Sequence, residues 1–172
     1  SLVGSEMCIR DRVHTMLVLE KSCLMSQGFS VRFASLVHDL GYSLVETVSE
    51  RFKIDNYTKN LSVAVSSNHL NVHKALELKA EAILKLLISF NALREGRLFE
   101  DALLCCHADA IGRGEGMKLK EFPQKDFLQE IAREIKKISL AELTDKYEGQ
   151  KLGEMIQQLR IMKIKEIKQA YV

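Results

Sequence analysis

The sequence predicts an all-α fold, on three observations. The 172 residues include a single proline, Pro123, alternating β-branched stretches are few, and from Val13 onward apolar residues recur at helical spacing. Val13, Met16, Leu17 and Leu24 make a first helix, ended by Gly28. Phe33, Leu36, Val37 and Leu40 make a second, stopped by Gly41, and Leu44, Val45, Val48 and Phe52 make a third. Asp55 is placed to cap a fourth, which passes Tyr57, Leu61 and Val65 to reach His69. Residues 77–90 form a strongly apolar helix, and the turn Arg94-Glu95-Gly96 precedes another over 98–110. From Gly112 to Pro123 the chain reads as a loop. A charged amphipathic helix on Phe127, Leu128, Ile131 and Ile135 follows, then a short helical turn from Ser139 and a last helix from about Gln150. The expected architecture is a helical bundle with a C-terminal helical tail.

Composition bounds the function. With 47% apolar and 28% charged residues the chain has the balance of an ordinary globular protein. A chain this long hides roughly 70% of its surface, which suits one core rather than two. The net charge of +2 demands no polyanionic partner. No apolar run approaches the roughly 20 residues needed to cross a bilayer. The four cysteines, Cys8, Cys23, Cys105 and Cys106, do not make a disulfide framework, the last two being adjacent. A reducing, cytoplasmic setting is expected.

Residues 1–12, SLVGSEMCIRDR, match nothing downstream in pattern and lack the basic and apolar regions of a signal peptide. The string resembles the translation of a sequencing adapter. The expectation is that it is not biological and that the coding sequence continues upstream.

The residues that carry chemistry are His14, the pair His38-Asp39, the pair His69 and His73, and Asp109. Adjacent His and Asp can offer an imidazole nitrogen and a carboxylate oxygen to one divalent ion, with further ligands arriving from other helices. His14 opens the first helix and Asp109 lies near the end of a later one. His69 and His73, four apart, share a helix face. Taken singly each has an ordinary reading as a cap or a surface residue. Their order along separate helices is what singles them out. The spacing Gly112, Gly114, Gly116 is no dinucleotide loop, because a helix rather than a strand precedes it.

That order, with the phrases around it, resembles a known family. His14 to Glu20, Val31 to Gly41, Leu44-Val45-Glu46, His69-Leu70-Asn71-Val72-His73, Ala108-Asp109 with Gly112-Arg113, and Glu148-Gly149 through Gly153-Glu154 to Arg160 resemble the HD phosphohydrolase domain and final helices of bacterial multifunctional CCA-adding enzymes. The resemblance spans 13–170. It implies an HD-type helical domain over 13–112 and a helical tail over 113–172. It also implies a divalent metal (magnesium, nickel or manganese) on His14, His38, Asp39 and Asp109. His69 and His73 would be catalytic acid/base groups or further ligands, acting on 2′,3′-cyclic phosphates and 2′-phosphates. The family pattern after His-Asp-Leu-Gly has a lysine and a loop containing His and Pro, where this chain has Tyr42 and a helix at once. Its arginine between Asp109 and Gly112 is also replaced, Ile111 standing there.

Nucleotide addition requires a head with a Gly-Gly-Ser-type loop and an Asp-x-Asp pair for two metal ions. No Asp-x-Asp occurs here. CTP and ATP are therefore expected partners only through a head outside this sequence, whereas the tRNA 3′ end is expected to meet the chain directly. From Lys118 to Val172 there are 12 Lys or Arg against 9 Asp or Glu. Arg160, Lys163, Lys165 and Lys168 of the last helix are the candidate RNA contacts. Two other readings stay open: a non-catalytic tRNA-binding helical module, and a degenerate stand-alone HD-type domain.

Overall fold

The computed structural model describes residues 2–113 and 121–171. All regular structure among them is helical: α1 (Leu2–Met25), α2 (Phe29–Leu36), α3 (Tyr42–Arg51), α4 (Asn56–His73), α5 (Ala80–Ser89), α6 (Leu98–Ile111), α7 (Pro123–Lys136), α8 (Ala141–Lys146) and α9 (Gly149–Gln169). Gly114 and Gly116 fall outside the described residues. No helix among the described residues is long and apolar enough to cross a membrane.

Local chemistry accounts for the boundaries. The Asp55 carboxylate accepts from the Thr58 amide at 3.0 Å, which satisfies one of the free N–H groups opening α4. Pro123 stands in the first turn of α7, where its missing N–H costs nothing. Gly41 has φ +75°, a backbone conformation that side chains with a Cβ resist, and so lets α3 start directly behind Leu40.

Three boundaries differ from the sequence reading. Helix α1 begins at Leu2 rather than near Val13, because nothing in the preceding residues breaks a helix. Residues 9–13 are exposed, however, and among the side chains described the first fully buried one is Val18. Helix α5 starts at Ala80 rather than at residue 77, and α2 stops at Leu36 rather than Leu40. This last difference shapes the site. Consecutive residues in a helix diverge by about 100°, whereas the turn at 37–40 allows both His38 and Asp39 to face the same point.

Helices α1, α2, α4 and α6 pack on one another, α3 lies against α4, and α9 spans α5 and α7. One apolar core runs through the molecule. It includes Val31, Leu61, Ile83, Leu87, Phe90 and Leu103 together with Phe127, Leu128, Ile131, Ile135 and Ile164. The tail helices therefore supply core residues rather than hanging free. Phe127 is completely buried and meets the Tyr171 ring edge-on at 4.9 Å.

Candidate metal centre

Helices α1, α4 and α6 and the turn after α2 bring His14, His38, Asp39, His69, His73 and Asp109 to one place. All six candidate site residues of the bundle therefore converge. The rings stand in a row, with centroids 5.4 Å apart from His14 to His38, 5.4 Å from His38 to His69 and 6.4 Å from His69 to His73.

Backbone carbonyls orient three of these rings. His38 Nδ1 donates to the Ser35 carbonyl at 2.8 Å and His69 Nδ1 to the Val65 carbonyl at 3.2 Å; His14 Nδ1 faces the Gly112 carbonyl at 3.4 Å. With Nδ1 carrying the proton, Nε2 presents its lone pair inward, as in imidazoles that bind metals.

The inward atoms then meet two carboxylates. His38 Nε2 lies 3.1 Å from Asp39 Oδ2 and 3.7 Å from Asp109 Oδ1. His14 Nε2 lies 3.1 Å from Asp109 Oδ1 and 3.8 Å from Asp39 Oδ2. Two ligand atoms held about 2.1 Å from one cation sit about 3.0 Å apart at a right angle and about 3.4 Å apart at a tetrahedral one. The two separations of 3.1 Å are of that size, and those of 3.7 and 3.8 Å are somewhat longer. Ligand atoms of His14, His38 and Asp39 all lie within 4.8 Å of one another, and these residues could hold a metal ion. Nε2 of His38 is buried and makes no hydrogen bond. A lone pair directed at carboxylates is stabilised by a cation beside it, a proton or a metal ion. His14, His38 and Asp39 thus fit a divalent ion; Asp109, the fourth ligand expected from the sequence, lies against both histidines but outside that group of three.

The remaining two histidines flank this group. His69 Nε2 is 3.2 Å from Asp39 Oδ1, and His73 Nε2 is 2.5 Å from Asp109 Oδ2. The Gln124 amide donates to the His73 carbonyl at 3.1 Å, and Phe122 packs edge-on against its ring, so the start of α7 holds this histidine in place.

Electrostatics follow from these contacts. The imidazoles of His38 and then His69 hold the Asp39 carboxyl well below the usual carboxylate range. Burial pushes Asp109 upward, but His73 and Arg113 outweigh it and keep the carboxyl low. Burial likewise pushes His38 down, and the Asp39 carboxylate beside it, with the Asp109 charge, reverses the sign and raises it. Both carboxylates are ionised near neutral pH.

Sequence reasoning assigned no role to Arg113. Its guanidinium grips Asp109 with Nε on Oδ1 and Nη2 on Oδ2, both at 3.2 Å. The spacing of four from Asp109 is a signal that could have found it. The candidate RNA contacts of α9 lie away from the histidines. Lys163 pairs with Glu166 at 2.9 Å, Lys165 with Glu81 at 3.4 Å, and Lys168 donates to the Leu78 carbonyl at 2.6 Å. Arg160 is partly buried on the same helix.

Fold and site together define a helical-bundle protein with a histidine–aspartate centre of metal-ligand chemistry, buried at His38 and Asp109 and open at Asp39. The chain is a relative of the multifunctional CCA proteins over about nine-tenths of its length. It is 35% identical to the multifunctional CCA protein of Pseudomonas fluorescens, over 91% of this chain and 43% of that protein. With its counterpart from Hahella chejuensis it is 38% identical, over 91% of this chain and 42% of the relative. The one from Shewanella frigidimarina is 31% identical, over 93% and 43% respectively. The chain thus spans less than half the length of these relatives. The Pseudomonas match runs over 177 residues with only 91% of this 172-residue chain, so the relative carries residues in that stretch with no counterpart here. No family model and no solved structure matches the chain.

Proposed function

We propose that this chain is a metal-dependent phosphohydrolase module of the HD type. It acts on 2′,3′-cyclic phosphates and 2′-phosphates at RNA ends, as part of a protein that synthesises and repairs tRNA 3′-CCA termini. The observation that carries the reading is the convergence of His14 from α1 with His38 and Asp39 from the turn after α2, their ligand atoms within 4.8 Å of one another, and of Asp109 from α6 against both histidines.

His14, His38, Asp39 and Asp109 would hold the ion, and the two carboxylates would balance its charge. A divalent cation there supplies Lewis acidity, making water nucleophilic near neutral pH and drawing charge from phosphoryl oxygens. The carbonyls of Ser35 and Val65 keep the His38 and His69 rings in one tautomer and orientation. His69 and His73, each set against a carboxylate, are the groups that take a proton from the attacking water and return one to the departing oxygen. The surrounding apolar core keeps bulk water from the buried side of the site.

The link to tRNA rests on the relatives' name and the basic tail. Arg160, Lys163, Lys165 and Lys168 would meet RNA phosphates, and the three lysines would exchange their present partners for them. Such binding weakens steeply with salt.

The test is hydrolysis of a 2′,3′-cyclic nucleotide by the purified chain with magnesium, manganese or nickel. Metal-stimulated turnover that disappears in His69→Ala and His73→Ala supports the reading. No turnover with any of the three ions, in a folded protein, contradicts it.

A further inference from the structure

We infer that Arg113 is a phosphate-binding residue of this site, an inference that rests on the metal reading above. Asp109 is 1% exposed while Arg113 is 51% exposed at the side chain, so the arginine leads from the buried carboxylate to the surface. It lines a cleft of about 560 Å³ together with His14 and Asp39, the two residues of the cluster that open onto it.

A guanidinium is planar and carries five N–H donors. One edge, Nε and one N–H of Nη2, is spent on Asp109. The two N–H groups of Nη1 and the second of Nη2 remain, in the fork geometry that matches two phosphate oxygens. The Asp109 contact fixes the guanidinium plane, so little side-chain freedom is lost when an anion arrives. The charge balance points the same way. Asp39 and Asp109 together neutralise a divalent ion, and Arg113 then supplies the positive charge left over for a phosphoryl group. The cleft's other arginine, Arg10, belongs to the segment 1–12 that the sequence sets apart, and Arg113 is anchored to Asp109.

The experiment compares wild type, Arg113→Ala and Arg113→Lys, each checked for helical content by circular dichroism. Manganese binding is read by titration calorimetry, and inorganic phosphate binding to the manganese-loaded protein by the broadening of the phosphate NMR line. The expected result is retained manganese in Arg113→Ala with phosphate affinity roughly tenfold to a hundredfold lower, the loss of a charged hydrogen-bond pair. Arg113→Lys recovers part of it, because a lysine restores charge without the fork. Equal phosphate affinity in wild type and Arg113→Ala overturns the inference and leaves the metal reading standing. So does loss of manganese from both variants, which would make Arg113 a support for Asp109 alone. Wild type that takes no manganese overturns the metal reading, and this inference with it.

Discussion

Gly112 and Val18 are packed so closely that a Cβ built on the glycine would lie 2.7 Å from Val18 Cγ2 and 3.0 Å from the Val18 backbone nitrogen. The contact joins the end of α6, which carries Asp109, to the middle of α1, which carries His14. It is also what lets His14 Nδ1 approach the Gly112 carbonyl.

Gly112→Ala must therefore push α1 away, since backbone atoms and a stiff β-branched side chain cannot yield at that distance. The expected outcome is a loss of about 1–3 kcal/mol in stability, as for other overpacked sites. Metal affinity should fall as well, because His14 moves with its helix. Denaturant unfolding and metal titration of the variant check both.

Asp39 and Asp109 should separate in their effects. Asp39 is 52% exposed at its side chain and Asp109 1%. Asp39→Asn is expected to abolish metal binding at a stability cost under about 1 kcal/mol, as for exposed ion pairs. Asp109→Asn strips buried contacts from His14, His73 and Arg113 together and should cost about 3–5 kcal/mol. Unfolding in the presence of a chelator isolates the stability term.

The thiols should react in order of burial. Burial pushes the Cys105 thiol up to about 12 and Cys106 well above its ordinary range. Cys23 is only partly buried. Thiolate is the reactive form, so at pH 8 Cys23 is expected to be alkylated while Cys105 and Cys106 react only after denaturation. Mass spectrometry of the labelled peptides reads this directly.

Burial and a hydrogen bond donated to Asp101 Oδ2 at 2.7 Å raise the Tyr57 hydroxyl above its ordinary value of 10.0. The folded state thus keeps this proton where the unfolded chain has released it. The contribution is complete below pH 10 and is lost as pH rises further. Tyr57→Phe should flatten that alkaline fall in stability, measured by thermal unfolding between pH 8 and pH 11. An unchanged slope would contradict it.

Helical periodicity and punctuation made the order of the helices legible, with Asp55, Pro123 and Gly28 near their ends. The turn at 37–40 was not, because Val37 and Leu40 continue the apolar period of α2 and disguise its end at Leu36. The continuation of α4 to His73 was legible, because its spacing of four from His69 puts both on one helix face. The six residues that converge were singled out by type and order. Arg113 was missed because its role depends on Asp109 being buried, which no local pattern reveals. The carbonyls of Ser35 and Val65 were invisible for a deeper reason: their part in the site comes from backbone geometry.

The central claim is that His14, His38, Asp39 and Asp109 form one metal centre. Elemental analysis after equilibrium dialysis against manganese, for wild type and Asp39→Asn at the same concentration, tests it most directly. One manganese per wild-type chain and none in Asp39→Asn is the expected result. Equal metal content in the two proteins, or none in either, would contradict it.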